Sequence, residues 1–130
     1  VGYDIVDIIT GAKTPFLRLG NSENTERIGK FEIINEGIKA GQKALYLAEN
    51  SDFEIVIIDE VGLLEIEGKA WSENITHLIK QSKVHLILTV RNTNVEKVLK
   101  KWNFKASYEL NLSKSDFDSL KCFIIKKVRS

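Results

Sequence analysis

The sequence has little that would commit it to an unusual setting. It holds one cysteine, Cys122, which excludes an internal disulfide and a multi-cysteine zinc site. A lone thiol fits a reducing compartment. No apolar run approaches the roughly 20 residues needed to span a bilayer, so no membrane partner is expected. An excess of charge of one sign is also missing: 19 Lys and Arg residues nearly cancel 18 Asp and Glu, leaving +1. That balance argues against nucleic acid as a partner, and the Lys100-Lys101 and Lys126-Lys127 pairs are too short to change it. The first residues, Val1-Gly2-Tyr3-Asp4, carry neither a basic nor an apolar leader region. No signal peptide is expected there, and the cytoplasm is the expected location. No repeat, low-complexity stretch or long linker divides the chain, and 130 residues fit one domain.

What is present begins with Ile55-Val56-Ile57-Ile58-Asp59-Glu60. Four β-favouring apolar residues read as a strand buried on both faces, the kind found in parallel sheets. His85–Val90 (HLILTV) reads as a second. Between and around them the pattern alternates. Asn35–Glu49 predicts a helix with Ile38, Ala44, Leu45 and Ala48 on one side, weakened by Gly37 and Gly41. Residues 63–68 suggest a loop or a short helical turn. Residues 70–80 predict a helix that buries Trp71, Ile75, Leu78 and Ile79. Asn94 is an expected N-cap for a helix over 95–101. Residues 106–112 resemble a strand, and Ser113 with Asp116 resembles a capping box before a last helix that turns Phe117, Leu120, Ile124 and Val128 inward. Strand remains an alternative for 122–125. Upstream, 4–9 and 15–19 flank the turn Thr10-Gly11-Ala12-Lys13 and suggest a hairpin; a polar loop (20–26) and a short strand at 28–33 follow. The expected class is α/β: three layers, a mainly parallel sheet with flanking helices, and an N-terminal β-hairpin.

Ligands gather at the carboxyl ends of strands in open α/β sheets. Asp59 and Glu60 arrive where the first buried strand is expected to end, beyond the alternation that would send neighbours to opposite faces. There Asp59 can hold a magnesium ion, through a water, and Glu60 can orient or deprotonate an attacking water. The plain alternative is an acidic turn that solvates a strand end. Thr89 and Arg91 end the second buried strand; in the same sheet they would emerge beside Asp59, suited to sensing or clamping a polyphosphate. Otherwise they are a strand-end Thr and a surface Arg. Arg18 and Arg27 flank the polar loop, as cations over a nucleotide or as solvated charges. His77 and His85 lack a metal-ligand spacing and read as structural, Cys122 as a small hydrophobe, and Trp71, Trp102, Phe104 and Tyr108 as core. Gly11-Ala12-Lys13-Thr14 is not the tail of a phosphate-binding loop. The pattern G-x-x-x-x-G-K-S/T needs Gly at 7 and 12, where Asp7 and Ala12 stand, and Pro15 follows at once.

Three segments resemble the THEP-type nucleoside-triphosphatases, small P-loop proteins. Arg27-Ile28-Gly29-Lys30-Phe31 is similar to the family's V-G-x-Y-type strand. Ile57-Ile58-Asp59-Glu60-Val61-Gly62, with Glu65, resembles its Walker B signature, I-D-E-I/V-G followed by an acidic residue. Leu88-Thr89-Val90-Arg91 resembles the strand end after it, and the opening hairpin matches the one such proteins place before the V-G-x-Y strand. The resemblance implies a P-loop NTPase-like domain over 1–130 without the Walker A strand, loop and helix. It implies Mg²⁺-dependent hydrolysis of a nucleoside triphosphate to diphosphate and phosphate, with Asp59 as the metal-associated acid and Glu60 as the catalytic one. Without the loop that cradles the β- and γ-phosphates the activity is expected to be incomplete or absent in this chain. The alternative is a non-catalytic domain of the same descent that binds a partner. If the chain naturally lacks the loop, the two buried strands are expected to pair directly, which is the favoured outcome; a truncated chain would instead leave unpaired edges and exposed apolar faces, a route to a homo-oligomer.

Overall fold

The computed structural model describes every residue except Ser82, Ser107 and residues 114–116. Its N-terminal part is an antiparallel sheet. Strands β1 (Gly2–Val6) and β2 (Lys13–Leu19) form the expected hairpin, and β3 (Arg27–Ile28) and β4 (Phe31–Ile33) extend it in the order β1-β2-β4-β3. The sequence predicts β1 to run to Ile9, but it stops at Val6. Asp7 Oδ1 accepts the Ile9 amide at 2.9 Å, and Gly11 turns at φ +73°. A side chain that captures nearby amides competes with the strand ladder. Ile8 and Ile9 are left exposed in the turn. The single strand expected at 28–33 is likewise split, because Gly29 at φ +58° makes a turn between β3 and β4.

Helix α1 spans Asn35–Glu49, the residues predicted. Its two glycines weaken it as a helix and are needed by its packing. A Cβ on Gly37 would lie 2.5 Å from the Pro15 carbonyl oxygen and 2.6 Å from Phe16 Cα, and one on Gly41 would lie 2.9 Å from the Trp71 ring. The glycines are therefore the points where α1 meets β2 and the Trp71 side chain. Backbone atoms cannot step aside as a flexible side chain can. Gly37→Ala is expected to destabilise the fold by about 1–3 kcal/mol, as overpacking does, despite alanine's better helix propensity. A urea midpoint at or above the wild-type value would show that α1 shifts freely on β2.

Strands β5 (Ile55–Val61) and β6 (His85–Val90) pair directly and in parallel, as expected. The connection between them carries α2 (Leu63–Ile66), one short turn, and α3 (Ser72–Gln81). After β6 a 3₁₀ turn (Asn92–Asn94) leads into α4 (Val95–Trp102). Asn94 precedes α4 as predicted, but its buried side chain makes no capping hydrogen bond. The described residues of 106–112 form no strand. Asn111 Oδ1 instead accepts the Ser113 amide and hydroxyl. Strand-like composition becomes a strand only by pairing, and the described residues of 106–112 pair with none of the strands. The capping partner Asp116 lies outside the described residues. Helix α5 (Phe117–Val128) settles the alternative at 122–125 as helix. It buries none of its residues fully, and Phe117, expected inward, is exposed.

The class is therefore mixed α/β, with parallel pairing confined to β5 and β6 among the described residues and the larger sheet antiparallel. One core joins the two sheets. Val56, Ile58 and Val61 of β5 pack with Leu64, Trp71, Ile75, Leu78 and Val98, and Phe16, Ile33 and Ala48 close the same cluster. This anchors β5 from one side and leaves Ile57, Asp59 and Glu60 at the surface.

Candidate active site

Strand β5 carries the two acids, and its end is irregular. Ile58 pairs with Leu88 and Val61 with Val90, so Asp59 and Glu60 together stand opposite Thr89 alone. Two residues against one is a bulge, which re-aims side chains and is enriched beside active sites. The peptide between the two acids is cis. The expected position beyond the strand end is thus corrected. The pair lies inside β5, which continues to Val61, and it escapes alternation through the bulge. Buried Ile58 and fully buried Val61 hold the strand on either side of it.

Because β5 and β6 are parallel, their carboxyl ends share one edge of the sheet. Four of the predicted residues meet there. Thr89 Oγ1 donates to Asp59 Oδ1 at 2.5 Å, and Arg91 Nε donates to Glu60 Oε1 at 2.8 Å. Arg91 is 74% exposed and Glu60 39%, so this ion pair is open to water. Such pairs contribute about 0.2–1 kcal/mol and exchange partners readily. Arg18 does not join them by its hydrogen bonds. Its guanidinium bonds Asp4 and the Tyr3 and Leu17 carbonyl oxygens, all in β1 and β2. Arg27 bonds Asn21 Oδ1 and the Gly20 carbonyl oxygen, as a loop charge does. Residues 10–14 make the hairpin turn and the start of β2, in keeping with the rejection of a phosphate loop there.

Glu65, named in the sequence only as the acid that follows the Asp59-Glu60-Val61-Gly62 block, was assigned no role there. It is 3% exposed, and its Oε2 accepts the Gly62 amide at 2.8 Å. Burial raises its pKa above the usual carboxylate value; the Gly62 amide opposes that, and the charge of Glu60 adds to it. The signal was legible as half of a capping box, an acid three residues after a helix N-cap. His77 sits on the exposed side of α3. Its Nδ1 lies 3.4 Å from Glu49 Oε2, and Glu49 also accepts from Asn74 Nδ2 at 2.9 Å. These groups line a groove between α1 and α3 with Gln42, Tyr46 and Lys69, and the acid pair is not part of it.

The donor set at the sheet edge can be tested against magnesium. Among the described residues no three His, Cys, Asp or Glu side chains cluster as a metal cage. Mg²⁺ does not need one: it keeps several waters and takes one or two carboxylates with substrate phosphates. An exposed Asp59 steadied by a hydroxyl fits that requirement.

Comparison with known proteins points the same way. A family model described as NTPase matches residues 1–124. The nucleoside-triphosphatase THEP1 of Methanocaldococcus jannaschii is 30% identical over 97 residues, covering 71% of this chain and 53% of that protein. THEP1 of Methanosarcina barkeri is 31% identical over 94 residues, covering 72% and 52%. THEP1 of Archaeoglobus fulgidus is 27% identical over 84 residues, covering 65% and 47%. The chain spans about half the length of the curated relatives it matches. No solved structure matches.

Proposed function

Because this chain belongs to the NTPase family, we propose that its sheet edge is the metal- and water-handling half of a nucleoside-triphosphatase site. The observation that carries the reading is the meeting of Asp59, Glu60, Thr89 and Arg91 at the carboxyl ends of two parallel strands. Asp59 would hold Mg²⁺ through a water, with Thr89 fixing its carboxylate; the ion, when bound, neutralises charge on phosphate oxygens. Glu60 orients a water toward the terminal phosphorus and takes its proton. Arg91 leaves Glu60 for the phosphate, a bidentate target that a guanidinium prefers over one exposed carboxylate oxygen. Phosphoryl transfer needs little else but position and charge.

In this reading the cradle for the other phosphates comes from a segment outside residues 1–130. The open face of the parallel pair supports that. Ile57 is 55% exposed on β5, and parallel strands are ordinarily covered on both faces. Further strands and helices there would complete the three-layer, mainly parallel sheet. A cytoplasmic setting belongs to the same proposal; no helix among the described residues is long and apolar enough to cross a membrane.

Two measurements test it. The full-length protein should release phosphate from ATP only with Mg²⁺ present. Residues 1–130 alone should bind MgATP weakly, seen as a shift of the Glu60 and Arg91 resonances. Silence in both, with and without Mg²⁺, would favour a partner-binding domain that has kept the fold.

A further inference from the structure

Helix α2 is a single turn, too short to hold itself, yet it receives the chain directly from the acid pair. Its N-cap is Gly62, which has no side chain to offer. The tie at this point therefore runs one way, from the Gly62 amide back to the Glu65 carboxylate at 2.8 Å. The rest of the turn is bonded beyond it: Ile66 N–H donates to the Gly62 carbonyl oxygen, and Lys69 N–H to that of Leu64. Val61, fully buried, fixes the preceding residue. Between Val61 and the carboxylate of Glu65, the segment that leaves Glu60 has no slack.

This arrangement is costly for a cap. An N-terminal cap is usually an exposed side chain, and an exposed one does the same job. Here the carboxyl is almost wholly enclosed, and Glu65 Oε1 is buried with no hydrogen-bond partner among the described residues. A buried polar group left half-satisfied weakens a fold. A leucine would remove that stranded oxygen but would also leave the Gly62 amide without its acceptor, so the two costs oppose each other. The half-satisfied carboxyl therefore gives the fold little net stability, and the nearest chemistry is Glu60, whose charge reaches it.

We propose that Glu65 is the positioning residue of the Asp59–Glu60 pair: by holding the Gly62 amide it fixes the exit of β5, so that both carboxylates stay on the edge they share with Thr89 and Arg91. The inference rests on the nucleotide-hydrolysis reading above for its catalytic consequence, and on the Gly62 amide for its structural one.

The test compares Glu65→Leu, Glu65→Gln and wild type in the full-length protein, with MgATP as substrate. Glu65→Leu is expected to melt within a few degrees of wild type, the relieved oxygen offsetting the lost Gly62 bond, and to lose kcat roughly 10- to 100-fold, the scale of a misplaced catalytic group, with KM for MgATP changed less than about threefold. Glu65→Gln keeps an acceptor for the Gly62 amide and is expected to recover most of kcat. Amide exchange at Gly62, followed by NMR, should quicken in Glu65→Leu and not in Glu65→Gln. A purely structural role would lower melting temperature and leave kcat per folded molecule alone, and that result overturns the proposal. So does wild-type kcat in a folded Glu65→Leu. If wild type itself releases no phosphate, the hydrolysis reading fails separately. The positioning role then stands if Gly62 exchange quickens in Glu65→Leu and falls if it does not.

Discussion

Glu60→Gln is expected to lower phosphate release by the full-length protein roughly 10²- to 10⁴-fold, the range general-base catalysis supplies. Nucleotide affinity should stay within a few-fold. The substitution keeps the shape of the side chain and an oxygen facing Arg91, so the contact at 2.8 Å loses its charge and not its geometry. Asp59 and its bond to Thr89 are untouched. What disappears is the ability to take a proton from water. Single-turnover phosphate release with MgATP separates this step from binding and product release. Turnover equal to wild type would remove Glu60 from the mechanism and leave an acidic strand end that Arg91 neutralises. A loss of affinity with kcat intact would instead place Glu60 among the groups that bind.

The fold was legible where burial imposes a period on the residues. Helix α1 and strand β6 have the bounds their apolar spacing predicts, because each turns one face or run of residues to a shared core. The convergence of Asp59, Glu60, Thr89 and Arg91 was legible too, from the rule that parallel strands end on one edge. The bulge was not. Its position depends on which residues of β6 stand opposite, a register that residues 55–61 do not carry in themselves. For the strand expected at 106–112 the reason is the converse: its composition is suitable, but its described residues pair with no other strand. Gly37 and Gly41 read as weaknesses of a helix because propensity is a local property. Their use, the approach of α1 to Phe16 and Trp71, is a tertiary one. Glu65 was legible as the acid after the Asp-Glu-Val-Gly block, but its burial and its bond to the Gly62 amide depend on packing that the sequence does not carry.

Trp71→Ala is expected to cost about 3–5 kcal/mol of stability, the range for emptying a buried aromatic site. Trp71 is the contact on which three elements meet. Its ring centroid lies 5.2 Å from that of Phe16 in β2, its edge closes on Gly41 of α1, and its backbone leads straight into α3. Phe16, the ring beside it, is itself packed between Trp71 and the Gly37 backbone and is not free to refill that space. The indole Nε1 is buried with no hydrogen-bond partner among the described residues, so part of the ring's gain is already offset by a stranded donor. Trp71→Phe removes that donor along with some volume. It should lose well under half of what alanine loses, and urea unfolding of the two variants against wild type reads the difference directly. A phenylalanine as damaging as alanine would mean that the indole proton has a partner in solution, a bound water at the junction of α1 and α3.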